Sequence, residues 1–348
     1  MTLSLIGFAV LLLLLFLGIP IALGMVLVGF VGFAVVVGFD PAMAMTGQIA
    51  YETSLSYSLS VLPLFVLMGN LINQSKLSEE LYDASNAFLG HFRGGLAMAT
   101  VAACGGFSAV CGSSLATAAT MAKVSMPPMR RYGYADSLAA GSIAAGGTLG
   151  ILIPPSVIMV IYGFMTNTDI GRLFAAGILP GILAMSLYMA AVWLVTLLSP
   201  ELGPRGEKLP MRQRLQALKG VYGVLILFAV VMGGIYAGVF TPTEAAGIGA
   251  FGAFVSALLR RMLTWQGLKD SLLESARTTA LMFLVLIGAT IFSNFVNVAG
   301  MPRALSEWIE GLNVSPLMVV VCMLVIYFLL GCVLESLSMV LLTVPVFF

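Results

Sequence analysis

The sequence runs to 348 residues, 60% of them hydrophobic and 9% charged, with a formal net charge of +1 and a mean hydropathy of +1.07. A soluble domain carries about 25% charged residues, so this chain cannot clothe a water-facing surface, and its near-neutral balance offers nothing to nucleic acid. With a single histidine and no H-E-x-x-H, G-x-S-x-G or paired aspartates, an intramembrane enzyme would lack its nucleophile, base or metal cluster.

The apolar residues come in runs that suit helices crossing a bilayer, which need about 20 residues each. No strand-length segment alternates with period two, so a β-barrel is excluded and an all-α polytopic membrane protein is expected. Leu3–Val37, without a charge, reads as two short elements broken near Pro20. It lacks the basic flank and small-residue cleavage site of a signal peptide, so it is expected to be retained. Asp40-Pro41 reads as a helix cap with proline in the first turn, and Leu59–Ile72 is the core of the next apolar element. Leu77, Leu81, Ala84 and Phe88 then share one face against Glu79, Glu80 and Asp83. That pattern predicts an amphipathic helix lying at the membrane interface. His91 falls at its polar side and is expected to be solvated.

Gly94–Ala122 is small and polar for a membrane element, Ala135–Met165 is interrupted at Gly146-Gly147 and Pro154-Pro155, and Ile170–Leu198 spans. Ser199–Gly220 is the main polar loop, and its excess of Lys and Arg places it in the cytoplasm. Val221–Val239 and Ala245–Leu259 follow as a hairpin of spans ended by Arg260-Arg261. Trp265, Leu268, Leu272 and Ala276 mark a second amphipathic stretch, Leu281–Val298 another span, and Leu305, Trp308, Ile309 and Leu312 a third amphipathic piece. Ser315-Pro316 caps the last apolar run. The four cysteines form no C-x-x-C and read as small buried residues.

Leu77-Ser78-Glu79-Glu80-Leu81 is echoed by Leu305-Ser306-Glu307-Trp308-Ile309, each preceded by an apolar span and followed by an apolar run with embedded serines. An internal repeat of this length suits a secondary transporter. In that register the counterpart of Pro154-Pro155 falls beyond Phe348, so the second repeat reads as truncated and the chain as a fragment.

Three interruptions can carry chemistry. Gly105–Thr117 clusters glycines with Ser113, Ser114 and Thr117; either it is a re-entrant hairpin whose oxygens hold a hard cation, or it is close packing of small residues. Gly146-Gly147 followed by Pro154-Pro155-Ser156 predicts either a discontinuous helix whose free N-terminal half starts near Pro154 and can hold a carboxylate, or a simple kink. Glu335, with Ser336 and Ser338, is a carboxylate inside the final apolar run, opposite Phe107–Val110 in the repeat register; it is either a functional intramembrane acid or a residue at the water interface. Thr241-Pro242-Thr243-Glu244 reads instead as a capping box, and Gly247–Gly252 as helix packing rather than a nucleotide loop.

Taken together, Gly18-Ile19-Pro20, Gly112-Ser113-Ser114-Leu115-Ala116-Thr117, Pro128-Met129 with Gly133-Tyr134, Gly146-Gly147 with Leu152–Ser156, and Phe240–Ala246 resemble the large, DctM-type membrane subunit of TRAP (tripartite ATP-independent periplasmic) transporters. Leu341–Pro345 resembles the family's second hairpin. The resemblance implies an elevator-type, sodium-coupled importer of small organic carboxylates in the bacterial inner membrane. It implies as partners a small four-helix membrane subunit and a periplasmic binding protein, with sodium as coupling ion and no other cofactor. Carried over, Ser113, Ser114, Thr117, Gly146, Gly147, Glu335 and Ser338 would serve sodium, and Pro154, Pro155 and Ser156 the carboxylate. Glu335 stands where the family pattern has an aspartate. The implied divisions are scaffold helices 1–75, an arm 76–93, a first transport repeat 94–198, the cytoplasmic loop 199–220, scaffold and arm 221–277, and an incomplete second repeat 278–348. A membrane scaffold without transport, or a truncated inactive permease, is the alternative reading.

Overall fold

The computed structural model describes residues 2–311, 314–332 and 334–347, and among these every regular element is a helix. They are α1 Thr2–Phe16, α2 Ile21–Val37, α3 Phe39–Leu55, α4 Val61–Gln74, α5 Leu77–Leu89, α6 Gly95–Cys111, α7 Ser114–Arg131 and α8 Asp136–Leu152. Then come α9 Val157–Thr166, α10 Ile170–Leu198, α11 Met211–Tyr236, α12 Pro242–Leu259, α13 Trp265–Val298, α14 Met301–Gly311, α15 Pro316–Gly331 and α16 Ser336–Phe347. Helices α10 to α13 are each long and apolar enough to cross a membrane, and α8 with α9 is so as a pair bent by 40°, a broken span or a re-entrant loop. The chain divides into two compact units, residues 1–59 with 279–348 and residues 60–278.

In the first unit, Pro20 breaks the N-terminal run where its sequence predicts, between α1 and α2. The cap expected at Asp40-Pro41 is displaced: α3 starts at Phe39 after Gly38, whose φ of 122° ends α2, so Asp40 and Pro41 lie inside the first turn. Gly29 lets α2 approach the backbone of Phe292 on α13, where a Cβ would stand 2.7 Å from its nitrogen. Phe8 meets Phe292 edge-on with centroids 5.0 Å apart. Ser315 caps α15 as expected, its hydroxyl accepting from Met318 N at 3.3 Å. Helix α15 packs on α16, where the Tyr327 and Thr343 hydroxyls are 2.8 Å apart. In the third amphipathic piece Trp308 is exposed and Leu305 and Ile309 half-buried on α14, while Leu312 lies outside the described residues.

The second unit is built around α4 and α6. Helix α4 packs on α12 and α6, and α6 also meets α5, α7, α8 and α10. Phe65, Phe107 and Phe174 are fully buried in its core. The amphipathic face of α5 forms as read, burying Leu77, Leu81 and Ala84. Its Glu80 pairs with Arg260 at 2.5 Å, and Arg260 also donates to Gly220 O at 3.0 Å, so one guanidinium ties α5, α11 and α12 together.

Two readings are corrected here. Helix α11 begins at Met211, so the connection after α10 ends at Pro210 and Arg212, Arg214 and Lys219 are helical. The second amphipathic stretch is not a separate element but the start of α13. Its buried side there is Gly267, Ser271 and Ser275, whereas Trp265, Leu272 and Ala276 are exposed. Small and hydroxylic residues pack inward because apolar side chains lose nothing facing lipid.

The connection 199–210 is stitched to the roots of α6 to α8. Gly94 N donates to Gly203 O, Ala135 N to Leu202 O and Gly206 N to Gly90 O, each at 3.0 Å. Tyr134 Oη donates to Pro204 O at 2.8 Å and accepts from Leu96 N at 3.2 Å. Arg214, buried, donates to Leu209 O at 3.0 Å and reaches His91 Nδ1 at 3.4 Å. His91 is therefore half-buried and partnered rather than freely solvated. Burial and the cations of Arg214 and Lys208 hold its imidazole below the ordinary value.

Candidate functional site

The first interruption is a helix–turn–helix hairpin. Helix α6 ends at Cys111, Gly112 turns the chain at φ 65°, and α7 restarts at Ser114. Only glycine takes that left-handed conformation without strain. Ser113 is the N-cap of α7, its hydroxyl accepting from Ala116 N at 3.4 Å. Helices α6 and α7 pack together and both pack on α8.

The second interruption lies at Ile153–Ser156. Gly146-Gly147 does not contribute to it: α8 runs unbroken through both glycines to Leu152. They serve close approach instead, a Cβ on Gly146 meeting the Cys104 sulfur at 2.7 Å and one on Gly147 meeting the Ala118 methyl at 2.7 Å. The second half-helix begins later than Pro154. Ser156 is its N-cap, accepting from Met159 N at 3.4 Å and donating to Ile151 O at 2.6 Å. The Pro154–Pro155 peptide is cis, and Pro154, Pro155 and Ser156 are all buried.

These two breaks meet. Val157 N, in the first turn of α9, donates to Gly112 O at the hairpin tip at 3.3 Å. A Cβ on Gly112 would stand 2.7 Å from Pro155 O. A Cβ on Gly150 would stand 2.6 Å from Ser113 O and 2.9 Å from Thr117 Oγ1, and one on Gly147 3.3 Å from Ser114 O. The structure thus brings Ser113, Ser114 and Thr117 together with Gly147 and Pro154-Pro155-Ser156. Gly146 sits one step along α8, against α6.

The Thr117 hydroxyl is fully buried and has only the weak Cys111 thiol beside it, with no oxygen or nitrogen partner. Buried hydroxyls are ordinarily satisfied, so an orphan oxygen beside a break asks for a partner. Nearby, Gly69 of α4 comes against the end of α6, where a Cβ would lie 3.4 Å from Cys111 O and 3.5 Å from Val110 O. The cluster therefore offers neutral oxygens, which suit a hard monovalent cation better than an anion. At α9 the Val157 and Met159 donors are already taken by Gly112 and Ser156. Gly69 carries no signal in the sequence, and Gly150 falls inside the second interruption without a role of its own. Gly147 and Gly150, one helical turn apart, were the available signal.

Glu335 and Ser338 belong to the first unit. Glu335 immediately precedes α16 as Ser113 precedes α7, and its carbonyl accepts from Met339 N at 2.9 Å. Phe107–Val110, opposite Glu335 in the expected repeat register, lie instead inside α6. Glu335 is exposed and Ser338 half-buried. Glu244, set aside earlier, completes the capping box of α12: its carboxylate accepts from Thr241 N at 2.8 Å, and Glu244 N donates to Thr241 Oγ1 at 3.3 Å.

Comparison with known proteins gives these breaks a context. Residues 8–348 match the family described as the tripartite ATP-independent periplasmic transporter, DctM component. The C4-dicarboxylate TRAP transporter large permease protein DctM of Pseudomonas aeruginosa is 36% identical over 306 residues, covering 86% of this chain and 70% of that protein. Its namesake in Rhodobacter capsulatus is 34% identical, covering 84% and 69%. The sialic acid TRAP transporter large permease protein SiaM of Vibrio cholerae is 33% identical, covering 83% and 68%. With its multi-pass helical architecture and its two facing breaks, the chain belongs to the DctM family of TRAP transporter large permease subunits.

Proposed function

We propose that this permease subunit carries a small organic carboxylate inward across the bacterial inner membrane, driven by sodium, after delivery by a periplasmic binding protein. The observation that carries the reading is the meeting of the hairpin tip with the broken helix, beside the orphan Thr117 hydroxyl. Breaks of this kind expose backbone and hydroxyl oxygens at membrane depth, where only protein, water or a cation can satisfy them. Thr117 Oγ1, with Ser113, Ser114 and the carbonyls at the end of α6, would take the sodium ion, and Gly146 and Gly147 would hold α8 close behind them. The substrate carboxylate would be drawn to the Pro154–Ser156 break at the positive end of α9. Glu335 and Ser338 would serve the corresponding hairpin of the second repeat.

Carboxylate-bearing solutes are named for several relatives, among them C4-dicarboxylates and sialic acid. A small four-helix membrane subunit is expected as partner; one relative, from Oleidesulfovibrio alaskensis, is named a DctMQ permease protein. The Glu80–Arg260–Gly220 clamp supports assigning α5 to a frame-side arm, with α14 in the matching role, in an elevator movement.

The test is uptake into proteoliposomes containing the permease and its small subunit, with loaded binding protein outside. An inward sodium gradient should drive accumulation, and Thr117→Val should raise the sodium concentration needed for half-maximal rate. Equal uptake in potassium would overturn sodium coupling, and no flux under any gradient would favour a scaffold.

A further inference from the structure

We propose that the outer groove between α11 and α12 seats one acidic phospholipid. The groove has a volume of about 320 Å³ and is lined by Ile226, Val230, Ile248 and Val255 along its length, with Tyr222 and Ser256 at one end. Along α11 its floor runs from Tyr222 to Val230, about 12 Å at 1.5 Å per residue, against the roughly 15 Å of one leaflet's hydrocarbon. Gly223 and Gly252 open it: at Gly223 the nearest atom to a Cβ is Arg260 Nη2 at 3.4 Å, and at Gly252 it is Leu227 Cδ1 at 2.7 Å.

Glu244, one turn beyond Ile248 at one end, is held in the capping box of α12, whereas at the Tyr222–Ser256 end the unpaired charge, among the described residues, is positive. The guanidinium of Arg260 closes that end but is occupied by Glu80 and Gly220 O. Lys219 is three and four residues before Tyr222 and Gly223, so it continues the same face of α11 one turn further out. Arg261 follows Arg260 in a left-handed turn at φ 55°. Both Lys219 and Arg261 are exposed and, among the described residues, neither forms an ion pair. Two free cations on the turns flanking that end, with the Tyr222 and Ser256 hydroxyls in its lining, match a phosphate bearing net negative charge above an acyl chain. A neutral zwitterionic headgroup would bring its own cation to the same place and lose that advantage.

The experiment compares phosphatidylglycerol with phosphatidylcholine on the purified permease in detergent, counting retained lipids by native mass spectrometry. One phosphatidylglycerol should be retained in preference to phosphatidylcholine. Lys219→Gln with Arg261→Gln should weaken it roughly 30-fold, about fivefold per basic side chain near a charged surface. Val230→Trp, which fills the slot from its exposed wall, should displace it while both charges remain. Equal retention of the two lipids, or retention indifferent to both variants, would overturn the proposal. So would a photo-crosslinker at Val230 that captures a polypeptide in native membranes rather than lipid.

Discussion

Substituting Gly150 by alanine tests whether the contact between hairpin and broken helix sets transport. The new methyl would stand 2.6 Å from Ser113 O and 2.8 Å from Ser113 C, backbone atoms that no rotamer change can move. To reach ordinary contact at 3.4 Å, the tip must retreat from α8 by about 0.8 Å. Overpacking of this kind costs about 1–3 kcal/mol, and alanine returns about 1 kcal/mol of helix propensity. The net loss of stability is therefore small, between about zero and 2 kcal/mol. Transport should suffer far more, because the retreat carries Ser113 and Thr117 out of register with the α8–α9 break. The assay pairs thermal unfolding in detergent with sodium-driven uptake in proteoliposomes. Gly141→Ala is the control: it lies on the same helix with nothing within 4 Å, so it should gain about 1 kcal/mol of stability and keep uptake. A Gly150→Ala protein that folds and transports like the parent would refute the reasoning.

Two further outcomes are expected. Thr241→Ala removes the cap of α12 and should cost about 1 kcal/mol in unfolding experiments while sparing sodium dependence; a changed sodium affinity would give the Thr241–Glu244 pair a role in coupling. Because the folded state holds His91 below its ordinary value of 6.5, the unfolded chain takes up that proton first. Stability should thus fall as pH drops below about 6.5, and His91→Gln should flatten that slope in a pH series of melting curves.

Much of this organisation was legible because breakers act locally. Gly112 and Pro154-Pro155 interrupt their own stretches, although Pro127-Pro128 inside α7 and Pro180 inside α10 do not, and Thr241–Glu244 caps by side chains three residues apart. The offsets arise where a neighbour decides. Helix α9 starts at Val157 rather than Pro154 because the Ser156 hydroxyl takes the Met159 N–H. Gly146-Gly147 looked like a break but serves contact with Cys104 and Ala118, partners far away in sequence. On α13 the apolar face of the sequence pattern is the exposed one, since the criterion for burial changes when the outer solvent is lipid.

The stitched connection after α10 has a mechanical consequence for the meeting of the breaks. Residues Leu202 to Gly206 hold the roots of α6 and α8 through backbone bonds, whereas the far end of α6 carries the turn at Gly112. A hairpin clamped at its base and tipped by a single turn is a cantilever. Over the 17 residues of α6, about 25 Å long, a root tilt of about 5° displaces the tip by about 2 Å. The short polar loop, remote from Thr117 in sequence and in space, therefore holds the lever that aims it.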